Sequence, residues 1–217
     1  MLPHRPILRL GAWGAALSTL LLLAMAFIRL PAGMFYPGLP ALMGRLLLAP
    51  AEQAAYLTEM RLLFVLDGMF LVGWILAWLG IGELVRARQH LTGWLTLGLG
   101  LAGALFDFGE NSLILGALQI FESGQVMPVA CVIAWKAVQH LSYWLPFLAA
   151  LLAAPVLWQG GKFEKVFALT SSSLLIPAVI GLYFPNLILL PNLWFLVWFA
   201  FSALSLWQEA AQNSPIG

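Results

Sequence analysis

The chain has 217 residues, of which 62% are hydrophobic and only 9% charged, and its mean hydropathy is +0.94. An ordinary soluble domain carries roughly 25% charged residues, and one core cannot hide so much apolar surface, so a water-soluble protein and a disordered one are both excluded. Ten basic residues against nine acidic ones give a net charge of +1 with no basic run, so nucleic acid is not expected as a partner.

A helix that crosses a bilayer needs about 20 mostly apolar residues. Six segments qualify: 7–30, 62–85, 91–121, 126–158, 166–184 and 187–207. Their apolar runs are continuous and do not alternate, which indicates helices rather than barrel strands. The expected fold is therefore all-α, a polytopic integral membrane bundle of six transmembrane helices forming one domain over residues 1–217. The first segment has Arg5 and Arg9 ahead of it and the small-residue motif Ala24-Met25-Ala26 within it, as a signal peptide would. Its apolar run is long enough to span, so it is expected to be a retained anchor.

The connection after the first span is the only long one. Pro31, Pro37, Pro40 and Pro50 divide it into short pieces, and 41–49 is expected as an apolar helix lying flat on the membrane surface. After Pro50 the pattern becomes helical and is expected to run straight into span two. With six spans both termini lie on one side, together with Arg5, Arg9, Arg86, Arg88, Lys162 and Lys165, while Arg29, Arg45 and Arg61 lie on the other. The basic excess places the N- and C-termini in the cytoplasm. The short loops suggest a bacterial inner membrane. Trp94, Trp158 and Trp207 near span ends suit an aromatic belt.

The single cysteine, Cys131, forms no internal disulfide and excludes a cysteine-based metal centre. His4, His90 and His140 are scattered, and no metal and no cofactor are expected. A metal held by Asp107, Glu110 and His140 is a minor alternative.

Charged residues inside membrane helices are rare and costly, about 2.5–3.5 kcal/mol each on insertion scales, and so are the informative feature. They are Asp67 in span two, Asp107 and Glu110 with Asn111 in span three, and Lys136 with His140 in span four. In span three, Gly93, Thr96, Gly100, Ala104, Asp107 and Asn111 recur at helical spacing and share one face, small below and polar above. The opposite face carries Leu97, Leu101, Phe108 and Leu115 and suits lipid. In span four, Lys136, Gln139, His140 and Tyr143 form a polar stripe. The short connection at Glu122–Gln125 makes spans three and four an antiparallel hairpin, in which residues at equal depth have a nearly constant sum of numbers. Glu110 with Lys136, and Asp107 with His140, meet that condition. An ion pair Glu110–Lys136 and a contact Asp107–His140 are therefore expected, with Asn111, Gln139 and Tyr143 as hydrogen-bonding neighbours. Asp67 joins if span two packs on the hairpin, where Gly68 and Gly73 favour close approach.

Three carboxylates and one lysine leave two uncompensated negative charges, so the cluster must respond to protons or cations. The plainer reading is structural, with paired charges fixing which helices pack. Three functions fit: proton- or cation-linked transport of a small solute, a membrane-embedded enzyme on a lipid-like substrate with Asp107 and His140 as acid and base, or an accessory subunit of a membrane complex. The partners expected are the lipid bilayer and either a second copy of the chain or other subunits. Glu83, beside Arg86 and Arg88, reads as an interface residue. The hydroxyls of Thr170, Ser171, Ser172 and Ser173 are expected to bond to their own helix backbone. Pro177, Gly181 and Pro191 permit kinks, and Asn186 and Asn192 read as turn and cap residues.

Overall fold

The computed structural model describes residues 4–26, 50–125, 128–183 and 189–212, and every regular element among them is helical. In chain order these are α1 (Arg5–Ala26), α2 (Pro50–Arg88), α3 (His90–Glu122), α4 (Val129–Leu157), α5 (Lys162–Ser172), α6 (Leu175–Tyr183) and α7 (Leu189–Gln212). Five of them, α1, α2, α3, α4 and α7, are long and apolar enough to cross a membrane. The surface helix expected at 41–49 and the turn residue Asn186 lie outside the described residues, as do the side chains of Pro177, Gly181, Pro191 and Asn192.

The apolar stretch 166–184 is not one helix. It divides into α5 and α6 at Ser173–Leu174. Pro177 has no N–H to give the carbonyl of Ser173, four residues back, and that carbonyl instead accepts from Ile176 N at 3.1 Å in a tighter turn. The hydroxyls before the break add to it: Ser172 Oγ donates to the Ala168 carbonyl and Ser173 Oγ to the Leu169 carbonyl, both at 2.9 Å. Thr170 likewise bonds to its own helix, at Phe167 O. Ser171 departs from that pattern, because its Oγ accepts from Trp198 Nε1 of α7 at 2.9 Å.

Small residues set the closest crossings. Between α1 and α2, Gly11 faces Gly80, and Gly14 and Ser18 face Gly73, with no room for a Cβ at any of these glycines. Gly73 thus supports close packing as expected, but against α1, while Gly68 has open space around it. Between α2 and α3, Gly93 lies on the Arg86 backbone, Gly100 on the Trp78 ring, and Gly82 on Leu97. Thr96 and Ala104 on the same face of α3 are buried. The opposite face is only partly free: Phe108 and Leu115 are exposed, whereas Leu97 covers Gly82 and Leu101 packs on the core. Between α3 and α4, the ring of Pro146 fills the space left by Gly103. Gly124, with φ +71°, makes the turn that ends the α3–α4 connection's described first half.

Buried apolar side chains form two separate clusters. The larger gathers residues of α1, α2, α3, α4, α5 and α7, including Phe70, Trp74, Trp78, Ala104, Phe147, Phe167 and Trp198. Its aromatic rings meet edge to face or tilted, as in Trp198–Phe199 at 4.9 Å and Trp78–Trp198 at 5.3 Å. The smaller cluster joins Met60, Phe64, Ile114, Ala117, Leu118 and Trp135 of α2, α3 and α4.

Candidate functional site

The polar residues of α2, α3 and α4 lie between these two clusters. Along α2, Asp67 falls between Phe64 of the smaller cluster and Phe70 of the larger. Along α3, Asp107, Glu110 and Asn111 fall between Ala104 and Ile114, and along α4, Gln139 and Ser142 fall between Trp135 and Phe147. The result is one polar layer bounded by apolar side chains on both sides.

Helix α3 supplies the centre. Glu110 is buried, at 6% exposure, and its carboxylate accepts three bonds from α4: Trp135 Nε1 at 3.1 Å, Gln139 Nε2 at 3.0 Å and Ser142 Oγ at 3.2 Å. These donors recur at i, i+4 and i+7, so one face of α4 presents all three. Asn111 Nδ2 donates to Asp67 Oδ2, tying α3 to α2. Asp107 is half-buried and lies close enough to Asp67 and Glu110 to interact with both electrostatically. Tyr143 is near all three acids, and its ring packs on Phe195 of α7 at 6.5 Å.

The expected ion pair does not form. Glu110 and Lys136 make no ion pair, and Lys136 is exposed. The cause is rotation about the helix axis rather than depth. The face of α4 against α3 is Trp135, Gln139, Ser142 and Pro146, and Lys136 stands one residue, about 100°, round from it. His140 turns with Lys136 and sets its ring 6.0 Å from that of Tyr183 on α6, with no hydrogen bond to Asp107. Tyr143 makes no hydrogen bond to the acids. Asn111 and Gln139 are hydrogen-bonding neighbours as expected, Asn111 of Asp67 and Gln139 of Glu110.

Trp135 and Ser142 are the site residues that the sequence reading missed. Their signal was the spacing 135, 139, 142, 146, which contains two polar residues, an indole donor and the proline that fits Gly103. The pairing of Asp67 with Asn111 was legible too. The α2–α3 hairpin turns at Gln89, and the facing pairs Arg86/Gly93, Gly82/Leu97, Trp78/Gly100 and Asp67/Asn111 keep a nearly constant sum of residue numbers.

The layer therefore holds three carboxylates and, among the described residues, no ion pair to any of them. Also among the described residues, no three His, Cys, Asp or Glu side chains converge closely enough to hold a metal ion. Away from the layer, several charges are paired. Glu83 accepts from Arg86 Nε and Nη2 at 2.9 Å and from the His4 backbone at 2.8 Å. Arg88 grips Glu164 with two bonds of 2.8 and 3.1 Å, and Arg61 meets Glu122 at 2.6 Å at the opposite end of the bundle.

No protein family, curated protein or solved structure matches this chain.

Proposed function

We propose that the chain is a multi-pass membrane protein that couples protons or a monovalent cation to the movement of a small solute, with the acidic layer as its coupling site. Asp67, Asp107 and Glu110 act as the titrating or cation-binding groups, and Asn111, Gln139, Ser142 and Trp135 set their orientation. The observation that carries this reading is the shared layer of three carboxylates, without an ion-pair partner among the described residues, between two apolar clusters. Isolated negative charge is prohibitively costly in such surroundings, so protons or a cation must offset it. Binding and release of that positive charge then changes the energy of the layer, which is the requirement for coupling.

The same reading counts six crossings, with α5 and α6 together making the fifth. It puts both termini in the cytoplasm of a bacterial cell, by the basic excess at that end. Arg5 at the start of α1 and Ala211 near the end of α7 line one cavity, which is consistent with an even number of crossings.

The test is flux in proteoliposomes carrying an internal pH-sensitive dye. A panel of amino acids, sugars and monovalent cations is added outside under an imposed pH gradient. A solute of the panel is expected to move protons with it in the native protein and not in Asp107→Asn or Glu110→Gln. Equal flux in native protein and both variants overturns the reading.

A further inference from the structure

A second polar feature lies at the other end of the bundle, away from the acidic layer. Arg5 and Arg9 of α1 and Trp207, Ala210 and Ala211 of α7 line a cavity of about 130 Å³. The two guanidinium groups are one helical turn apart and face the same space. Neither makes a hydrogen bond or ion pair with any described residue, and Arg5 Nε is buried without a partner.

The surroundings of this pair are unfavourable to cations. Arg5 opens α1, and the first turn of that helix contains no acidic residue. Glu83 of α2 already accepts from the His4 backbone at this helix start, so the uncompensated feature is the pair of like charges. The nearby acids are committed elsewhere: Glu83 to Arg86 and the His4 backbone, and Glu209 to Arg88 at 3.7 Å. An anion in the cavity relieves the repulsion between the two guanidinium groups. Guanidinium forks match the oxygens of a phosphate.

The apolar surface that leads away from the cavity indicates the source. Trp207 is 51% exposed and meets Trp13, itself 64% exposed, edge to face at 5.6 Å. Leu10, Leu20 and Leu204 extend that exposed surface along α1 and α7. A tryptophan pair below a cationic cavity fits a headgroup above and acyl chains alongside.

We propose that Arg5 and Arg9 of α1 form a binding site for a phosphate group, the headgroup phosphate of an anionic phospholipid. The lipid source rests on the membrane reading above. The phosphate chemistry does not.

Native mass spectrometry of the full chain in detergent tests it, with phosphatidylglycerol, phosphatidylcholine and inorganic phosphate added separately. The native protein is expected to retain phosphatidylglycerol over phosphatidylcholine. The double variant Arg5→Gln/Arg9→Gln loses roughly tenfold or more in apparent affinity, at about 1 kcal/mol for each charge. Lys162→Gln/Lys165→Gln, at the same end of the bundle, keeps the preference. Ala211→Glu, at an exposed position lining the cavity, is expected to lose it without disturbing the core. Retention of inorganic phosphate in place of lipid assigns the site to a free phosphate. An equal loss in the lysine variant makes the effect bulk charge attraction and overturns the site, as does full phosphatidylglycerol preference in Ala211→Glu.

Discussion

Asn111 of α3 donates its side-chain amide to the carboxylate of Asp67 on α2, and Glu110, next to it in sequence, turns to α4 instead. Adjacent residues on one helix thus bond to helices on either side of it. The layer is held by α3 as a shared wall.

That bond has a measurable coupling. Asn111→Ala and Asp67→Ala are each expected to destabilise the fold, and the double variant less than their sum. A coupling of about 1 kcal/mol is expected, at the upper part of the range for polar pairs between membrane helices. Denaturation of the four proteins in mixed micelles measures it. Strict additivity means that the pair does not contribute.

Removing a donor to Glu110 leaves its buried oxygens short of partners. Trp135→Phe keeps the ring and loses the N–H, and Ser142→Ala loses the hydroxyl. Each is expected to cost about 1–3 kcal/mol of stability, since hydrogen bonds to a carboxylate exceed neutral ones. The same denaturation assay reads the loss. Glu110→Gln, which still accepts, is expected to be milder than Glu110→Ala.

Lys136→Ala provides the contrast. The side chain is exposed and makes no ion pair among the described residues, so its removal is expected to change stability by no more than about 0.5 kcal/mol. A loss of several kcal/mol in the same assay requires a partner for this lysine.

Arg88→Ala strips the carboxylate of Glu164, 3% exposed, of its two-pronged partner. About 2–4 kcal/mol is expected to be lost, less than for a fully buried pair because the Arg88 side chain is 26% exposed. Restoring part of that loss by Glu164→Gln in the same chain is the expected check.

Two glycines of α2 are expected to respond in opposite directions to alanine. Gly68 has open space, so Gly68→Ala gains up to about 1 kcal/mol from helix propensity. Gly80 rests against the backbone of Gly11, so Gly80→Ala forces the helices apart and loses about 1–3 kcal/mol. Thermal unfolding of the two variants beside the native protein decides both.

Five of the six apolar segments appear as span-length helices because length and hydropathy are local properties. The break in 166–184 was present in the sequence as three serines followed by Pro177, signals that are individually weak and act together. The acidic residues could be placed by depth from hairpin arithmetic, and Asp107, Glu110, Asn111 and Gln139 do share a layer. Rotation about the helix axis is not in that arithmetic. It is set by which side chains interlock, here Pro146 into Gly103, and that interlock turns Gln139 inward and Lys136 outward.

The dry clusters on either side of the acids bear on speed. If the proposed coupling holds, charge reaching Glu110 from one side would have to part Phe64, Ile114 and Trp135, and charge leaving on the other would have to part Phe70 and Phe147. Under the proposed coupling, passage would take turns, one barrier yielding while the other holds. Throughput is then limited by how often these rings swing, in the manner of an airlock rather than a pipe.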